Sequence, residues 1–104
     1  MDIRLVYFEG CPSWQVAHQR LVKALTRAGH ADTPVTLVRV GSHAEATAAG
    51  FAGSPTILID GRDLFPGAAI PDGLACRLYP TITGPAGSPT VEDLVVALAD
   101  QRSQ

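Results

Sequence analysis

The sequence predicts an α/β protein in which a small mixed β-sheet carries helices on both faces, with elements in the order β-α-β-α-β-β-α. Three observations predict this class. An apolar, β-branched run covers residues 3–8, stretches with apolar side chains at helical spacing cover 13–28 and 91–98, and Asp60-Gly61 separates two strand-like runs. The 104 residues suit a single domain, 1–104.

The first half of the chain predicts a strand, a helix and a second strand. Ile3-Arg4-Leu5-Val6-Tyr7-Phe8 is apolar at nearly every position, which is typical of a strand covered on both faces. Pro12 suits the first helical position, and Gly29 suits the left-handed residue that ends a helix. The apolar positions between them are Trp14, Ala17, Leu21, Val22, Leu25 and Ala28. Residues 35–40 predict the second strand.

Ser42-His43-Ala44-Glu45 is a capping box that opens a short helix ending at Gly50. Thr56-Ile57-Leu58-Ile59 then predicts a third strand, and Asp60-Gly61 a hairpin turn into Asp63-Leu64-Phe65. Two crossovers through helices imply parallel strands, to which the hairpin adds antiparallel ones.

The last third alternates between loops and regular elements. Residues 66–73 predict a loop and 74–79 a further strand, whereas 80–89, with three prolines and two glycines, predict irregular structure. Thr90 is the expected cap of the last helix. The apolar residues of that helix are Val91, Leu94, Val95 and Leu98.

Composition and charge exclude several functions. With 46% hydrophobic and 17% charged residues, a formal charge of −2 and no basic block, the chain suits neither a nucleic acid nor an anionic membrane as partner. Its apolar runs fall short of the ~20 residues that span a membrane. The N-terminus lacks the features of a signal peptide, so we expect a cytoplasmic protein. No zinc-type spacing or glycine-rich phosphate loop occurs, and we expect no metal, flavin or nicotinamide.

Cys11 is the main candidate for chemistry. In Tyr7-Phe8-Glu9-Gly10-Cys11-Pro12-Ser13-Trp14 it lies where the first strand gives way to a helix. The partial positive charge at a helix N-terminus stabilises a thiolate and lowers the pKa of a cysteine placed there. We therefore expect an accessible and partly ionised sulfur. The alternative is a cysteine that only packs at a helix start.

Cys11-Pro12-Ser13-Trp14 opening a helix, followed about 40 residues later by Ser54-Pro55-Thr56 before a hairpin, resembles the thioredoxin/glutaredoxin-like superfamily. More narrowly, these motifs and Cys76-Arg77-Leu78-Tyr79 resemble short bacterial thioredoxin-family proteins, some of which carry an alkylmercury-lyase-like label. The resemblance implies a thioredoxin-like fold and a cis Ser54–Pro55 bond beside the Cys11 sulfur. It also implies that backbone groups around Ser54 and Thr56 bind an extended peptide or thiol substrate.

One departure from the superfamily matters for the mechanism. Trp14 stands where dithiol members have their second cysteine, so a local Cys-x-x-Cys disulfide cannot form. Three alternatives follow: Cys11 acts as a monothiol, Cys76 resolves its mixed disulfide, or redox function is lost and the fold is kept for binding. Trp14 is expected to pack on the inner face of the helix or to shield the sulfur, with substrate stacking as the alternative.

The position of Cys76 depends on which segment pairs with the third strand. If residues 63–65 form the returning strand, the 66–73 loop lies near Cys11 with Cys76 just beyond it. If residues 74–79 form that strand, Cys76 lies in the middle of the sheet and cannot reach Cys11, because a disulfide needs Cα atoms within about 7 Å.

The resulting hypothesis is a small thiol–disulfide oxidoreductase. Cys11 attacks as a thiolate through a mixed disulfide, with Cys76 as the possible distal resolving cysteine. Pro12 sets the helix start, Ser13 hydrogen-bonds the sulfur, and the Ser54-Pro55-Thr56 loop positions substrate. The expected partner is a low-molecular-weight thiol or a protein thiol or disulfide, and the protein is taken as a monomer. Alternatives are a non-catalytic binding module and handling of soft metals or organomercurials by the two thiolates.

Overall fold

The central strand of the sheet is the apolar run near the N-terminus. The computed structural model describes residues 1–102, over which the chain is a mixed α/β fold with three helices and six strands. In chain order the elements are β1 (Ile3–Tyr7), α1 (Ser13–Arg27), β2 (Val35–Arg39), α2 (His43–Ala49), β3 (Thr56–Ile59), β4 (Arg62–Asp63), β5 (Tyr79–Thr81), β6 (Gly84–Ala86) and α3 (Val91–Arg102).

Four strands form the main sheet in the order β2-β1-β3-β4, and β5 pairs with β6 in a separate two-stranded sheet. β1 runs parallel to β2, with Leu5 opposite Leu37, and antiparallel to β3, with Leu5 opposite Ile57. β4 continues the sheet as a short antiparallel partner of β3. The sheet is therefore mixed, as predicted.

The direction of β3 differs from the prediction, which made the second crossover parallel as well. α2 has seven residues, so it is about 10 Å long, and it does not carry the chain back to the start of the sheet. The loop after α2 stays at the carboxyl end of β1, where the Phe8 N–H donates to Ser54 Oγ at 3.3 Å. From that end, β3 runs antiparallel to β1.

Helices cover both faces of the main sheet, because alternate residues of β1 and β3 point to opposite sides. On one face, Ile3 and Leu5 of β1 pack with α1 and α3. On the other face, Val6 packs with Ala46 of α2. The buried residues of the larger cluster are Ile3, Leu5, Ala17, Leu21, Ala24, Leu25, Ile57, Ile59, Leu64, Leu94 and Leu98.

The ends of the helices follow the predicted local signals. Glu45 N–H donates to Ser42 Oγ at 3.1 Å, and Asp93 N–H donates to Thr90 Oγ1 at 3.0 Å, so α2 and α3 are both capped as expected. Gly29 has φ +85° just after α1. Within residues 1–102, no helix combines the length and apolar character needed to cross a membrane.

The predicted strand at 74–79 and the irregular segment at 80–89 are both wrong. Residues 74–78 contain only an isolated bridge, whereas β5 and β6 form a hairpin inside the proline-rich stretch. Pro80 and Pro85 lie opposite each other in this ribbon. A two-stranded ribbon tolerates proline because the missing N–H can face away from the partner strand.

Candidate functional site

Cys11 lies in the turn that joins β1 to α1. Its N–H donates to Phe8 O at 3.2 Å, and Pro12, with φ −71°, is the cap residue just before the helix. α1 therefore begins at Ser13, one residue later than predicted. The 15 residues of α1 place a helix N-terminus immediately after the cysteine, which favours negative charge on a sulfur there.

Cys11 and Cys76 form a disulfide that joins positions 65 residues apart, with their Cα atoms 5.8 Å apart. Of the two arrangements that the sequence left open, this is the one in which Cys76 lies close to Cys11. The Cys11 side chain is fully buried, whereas Cys76 is exposed. The expectation of an accessible Cys11 sulfur is therefore wrong for the disulfide form, in which Cys11 is bonded to Cys76 and fully buried.

Ser54 joins the segment of Cys76 to the rest of the site. Its N–H donates to Ala75 O and its carbonyl accepts from Arg77 N–H, both at 2.9 Å. These two bonds form a parallel bridge between Ser54 and Cys76. The Ser54 carbonyl oxygen also lies 3.6 Å from Cys11 Sγ. The backbone groups expected to bind an extended substrate are thus paired with the chain itself.

The other two residues of the predicted loop have structural contacts. The Ser54–Pro55 peptide bond is cis, as the resemblance implies. Thr56 is buried, and its hydroxyl donates to Gly53 O at 2.5 Å and accepts from Ala52 N–H at 2.8 Å. The Thr56 oxygen therefore closes the turn before β3.

The residues after Cys11 contribute in different ways. Pro12 is exposed at the start of α1. The Ser13 side chain lies against Gly87. Within residues 1–102, the hydrogen-bond partner of Cys11 Sγ is Ser54 O and not the predicted Ser13. Trp14 stacks on Tyr7 with ring centroids 4.0 Å apart and packs against the larger core cluster. This agrees with the predicted packing of Trp14 on the inner face of the helix.

Glu9 is the acidic residue nearest to Cys11 along the chain. Its carboxylate lies 3.6 Å from Arg39 Nη1 at the exposed end of β2. Both side chains are more than half exposed, at 65% for Glu9 and 62% for Arg39. Its negative charge is therefore partnered and screened by solvent, which limits its opposition to a thiolate at Cys11.

Arg77, the residue after Cys76, is the feature that sequence reasoning missed. Its side chain is 0% exposed and forms an ion pair with Asp63, Nη2 to Oδ2, at 2.8 Å. A second hydrogen bond from Nη1 to Asp63 Oδ1 at 3.1 Å makes the pair two-pronged. Burial by itself would lower the pKa of Arg77, but the hydrogen bonds and charge of Asp63, together with Tyr79, outweigh it and raise the pKa above its ordinary value. A charged residue inside the apolar run 74–79 was the available signal.

Tyr79 completes this buried group. Its hydroxyl donates to Pro55 O, and the Arg77 guanidinium lies 5.2 Å from the centroid of its ring. Burial raises the pKa of Tyr79 to about 12, against the lowering effect of Arg77. Tyr79 therefore remains a neutral hydrogen-bond donor beneath the Ser54-Pro55-Thr56 loop.

The other features that could bind a ligand lie away from the sulfurs. Among residues 1–102, no three His, Cys, Asp or Glu side chains are grouped so as to hold a metal ion. A cavity of about 590 Å³ lies between the turn after β4 and helix α3, and neither cysteine is among its lining residues.

Comparison with protein-family models, with curated proteins and with solved structures finds no match to this chain. The case for a function therefore rests on the geometry of the site.

Proposed function

We propose that the protein is a thioredoxin-like thiol–disulfide oxidoreductase whose redox couple is Cys11 and Cys76. The observation that carries the proposal is the disulfide between these residues, formed at the N-terminus of α1 and beside Ser54. A sulfur pair that closes across a helix N-terminus has the two properties a redox couple needs: bonding proximity and stabilisation of a thiolate.

The order of the elements supports a thioredoxin-like arrangement. A parallel β1-α1-β2 unit is followed by α2, an antiparallel β3-β4 pair and a final helix, with Cys11-Pro12 at the start of α1 and Ser54-Pro55 before β3. These are the positions that the resemblance assigns to the reactive cysteine and the substrate loop. The β5-β6 hairpin is an addition to the predicted order.

The reaction proceeds by two exchanges. In the reduced protein the Cys11 thiolate attacks one sulfur of a substrate disulfide, forming a mixed disulfide and releasing the first substrate thiolate. Cys76 then attacks the Cys11 sulfur, restores the Cys11–Cys76 bond and releases the second thiolate. Two electrons pass from the protein dithiol to the substrate, and the two thiol protons go to the products. Since Cys76 covers Cys11 in the oxidised form, its side chain must rotate away in the reduced form.

The remaining parts of the proposal follow from this chemistry. The partner is a low-molecular-weight thiol or a protein thiol or disulfide, and neither flavin, nicotinamide nor metal is needed for the exchange. The expected compartment is the cytoplasm, where a purely structural disulfide is unusual and a reversible one is common among redox proteins.

The proposal is tested on the ionisation of Cys11. In a Cys76→Ser variant, the rate of alkylation by iodoacetamide is followed against pH, first in the folded protein and then in urea. We expect the apparent pKa in the folded variant to lie below the value in urea, which is about 8.5 for a free cysteine. An equal or higher value in the folded protein would contradict an activated nucleophile.

A second measurement distinguishes redox function from binding alone. The reduced wild type is treated with glutathione disulfide and analysed by mass spectrometry. Loss of two hydrogens, or a glutathione adduct on Cys11 in Cys76→Ser, supports exchange. A protein that stays unmodified, or whose disulfide resists millimolar glutathione, would instead be a binding module with a structural bridge.

A second candidate function is favoured by the same disulfide. Two thiolates close enough to bond can also act as the two ligands of a soft cation or an organomercurial. Binding of Hg²⁺ by the reduced protein, lost in both Cys11→Ser and Cys76→Ser, would support it. Loss of glutathione exchange together with retained mercury binding would favour it over the first function.

A further inference from the structure

Cys76 is held beside Cys11 by contacts other than the S–S bond. Backbone hydrogen bonds with Ser54 flank Cys76 on both sides: Ala75 O accepts from Ser54 N–H, and Arg77 N–H donates to Ser54 O. They hold the Cys76 backbone at a site where its Cα lies 5.8 Å from that of Cys11. Two backbone bonds in an isolated bridge would be weak anchors by themselves.

The Arg77 guanidinium anchors the same segment much more firmly. Besides the two bonds to Asp63, it donates to three carbonyl groups in the turn after β4: Phe65 O at 3.0 Å, Ala68 O at 2.9 Å and Ala69 O at 3.3 Å. Asp63 belongs to β4, which pairs with β3 next to the central strand. Arg77 thus ties the residue after Cys76 to the main sheet.

The strength of this anchor follows from its burial. A fully buried guanidinium is tolerable only if its charge and its donors are satisfied, and charge-assisted two-pronged pairs are among the strongest hydrogen bonds. Asp63 supplies the charge, Ala69 O accepts from Nε, and Phe65 O and Ala68 O share the donors of Nη2 with Asp63. None of these contacts involves a sulfur atom.

We propose that Arg77 is a positioning residue for the thiol–disulfide couple. It keeps Cys76 within bonding reach of Cys11 in the dithiol form as well as in the disulfide form. It thereby sets the equilibrium between the two. The inference rests on the proposed function, in that it treats the pair as a reversible couple.

The equilibrium has a defined stoichiometry. One protein dithiol and one glutathione disulfide give one protein disulfide and two molecules of glutathione. The protein disulfide forms and the glutathione S–S bond breaks. The equilibrium constant is the effective concentration of one protein thiol at the other, which rises when the fold holds both in place. Arg77 raises this constant by restricting Cys76 before the bond forms.

The test compares effective concentrations in four proteins: wild type, Arg77→Met, Arg77→Lys and the control Arg27→Met. Arg27 is also an ion-paired arginine, but it is 60% exposed and pairs with Glu92 away from the disulfide. Each protein is equilibrated in glutathione redox buffers and quenched by alkylation. Mass spectrometry then measures the ratio of its disulfide form to its dithiol form. We expect the effective concentration to fall at least tenfold in Arg77→Met and by less in Arg77→Lys. In Arg27→Met it should change less than twofold.

A linked measurement separates positioning from general stabilisation. The difference in unfolding free energy between the oxidised and reduced forms must fall by the free-energy equivalent of the change in effective concentration, which is about 1.4 kcal/mol for a tenfold fall. If Arg77→Met lowers both stabilities equally and leaves the effective concentration unchanged, Arg77 is only structural and the proposal is wrong.

Two provisions keep the test decisive. If Arg77→Met does not fold, Asp63→Asn keeps the shape of the partner and removes its charge, and it must lower the effective concentration in the same direction. An unchanged value in a folded Asp63→Asn or Arg77→Lys protein overturns the proposal. Failure of the proposed function is recognised separately, as a wild-type disulfide that only dithiothreitol, and not glutathione, reduces. The ratio between variants is then measured in dithiothreitol redox buffers instead.

Discussion

Gly53, in the loop before β3, packs closely against the segment 71–77 that carries Cys76. It has φ +109°, and a Cβ placed there would lie 2.7 Å from Arg77 Cβ and 2.8 Å from Pro71 Cδ. Glycine is therefore required at position 53 for two reasons. Its positive φ disfavours other residues, and the segment 71–77 fills the space that a Cβ would need.

Gly84 provides a matched control for this argument. It has nearly the same φ, +110°, and no atom lies within 4 Å of a Cβ placed there. Gly84→Ala should lose only the backbone contribution, about 1–3 kcal/mol. Gly53→Ala should lose a further ~1–3 kcal/mol from overpacking. Urea unfolding of the oxidised proteins measures both, and equal losses would contradict the steric role of Gly53.

At the scale of elements, α1 illustrates where periodicity alone misjudges a side chain. Leu21 and Val22 are neighbours, and both belong to the apolar pattern of the sequence. In the structure Leu21 is fully buried against the sheet and α3, whereas Val22 is 46% exposed. Adjacent residues on a helix differ by about 100° in direction, so both cannot face the same partner.

This difference predicts unequal costs for the same truncation. Leu21→Ala should destabilise the protein by about 2–5 kcal/mol, because it leaves a cavity in the larger cluster. Val22→Ala should change stability by less than about 0.5 kcal/mol, since it removes an exposed β-branched side chain and adds a better helix former. Thermal or urea unfolding checks the pair. A large loss for Val22→Ala would show that α1 faces the core differently.

The helix boundaries were predictable because their causes lie within a few residues. Ser42 with Glu45, Thr90 with Asp93, and Gly29 are all local signals, and each lies at the expected helix end. The Asp60-Gly61 turn was predictable for the same reason, and both of its residues have positive φ. The β5-β6 hairpin was not, because prolines at positions 80 and 85 hide the strand pattern.

At the scale of the whole molecule, the alkaline limit of stability should report on Tyr79. Its pKa is about 12 in the folded protein and near 10 when exposed. Between these pH values the unfolded chain has lost a proton that the folded chain retains, so stability falls as pH rises. The loss approaches about 1.4 kcal/mol for each unit by which the two pKa values differ.

Urea unfolding between pH 8.5 and 11.5, without added thiol, measures this loss. Tyr79→Phe should be less stable at pH 8.5, because the hydrogen bond to Pro55 is missing, but should lack the alkaline decline. Tyr7→Phe keeps Tyr79 and should decline like the wild type. A decline of the same size in Tyr79→Phe would assign it to other groups.

The contacts that assemble the site are of long range, and for that reason the sequence only partly predicts them. Cys11 and the Ser54-Pro55 loop follow from motifs, but the disulfide partner depends on the direction of β3 and on the loop after β4. Arg77 pairs with Asp63, which lies 14 positions earlier in the chain, and no periodic pattern in the sequence relates the two residues. Tertiary packing, which no local signal encodes, decides both.

The bridge between Ser54 and Cys76 also bears on which reactants suit the proposed thiol–disulfide exchange. A peptide substrate that binds along Ser54 must displace residues 75–77 of the chain itself. Because these residues are tethered, their local concentration at Ser54 is high. A small thiol has no backbone to align and escapes this competition. Because the backbone groups of Ser54 are already bonded within the chain, small reactants are favoured over extended ones.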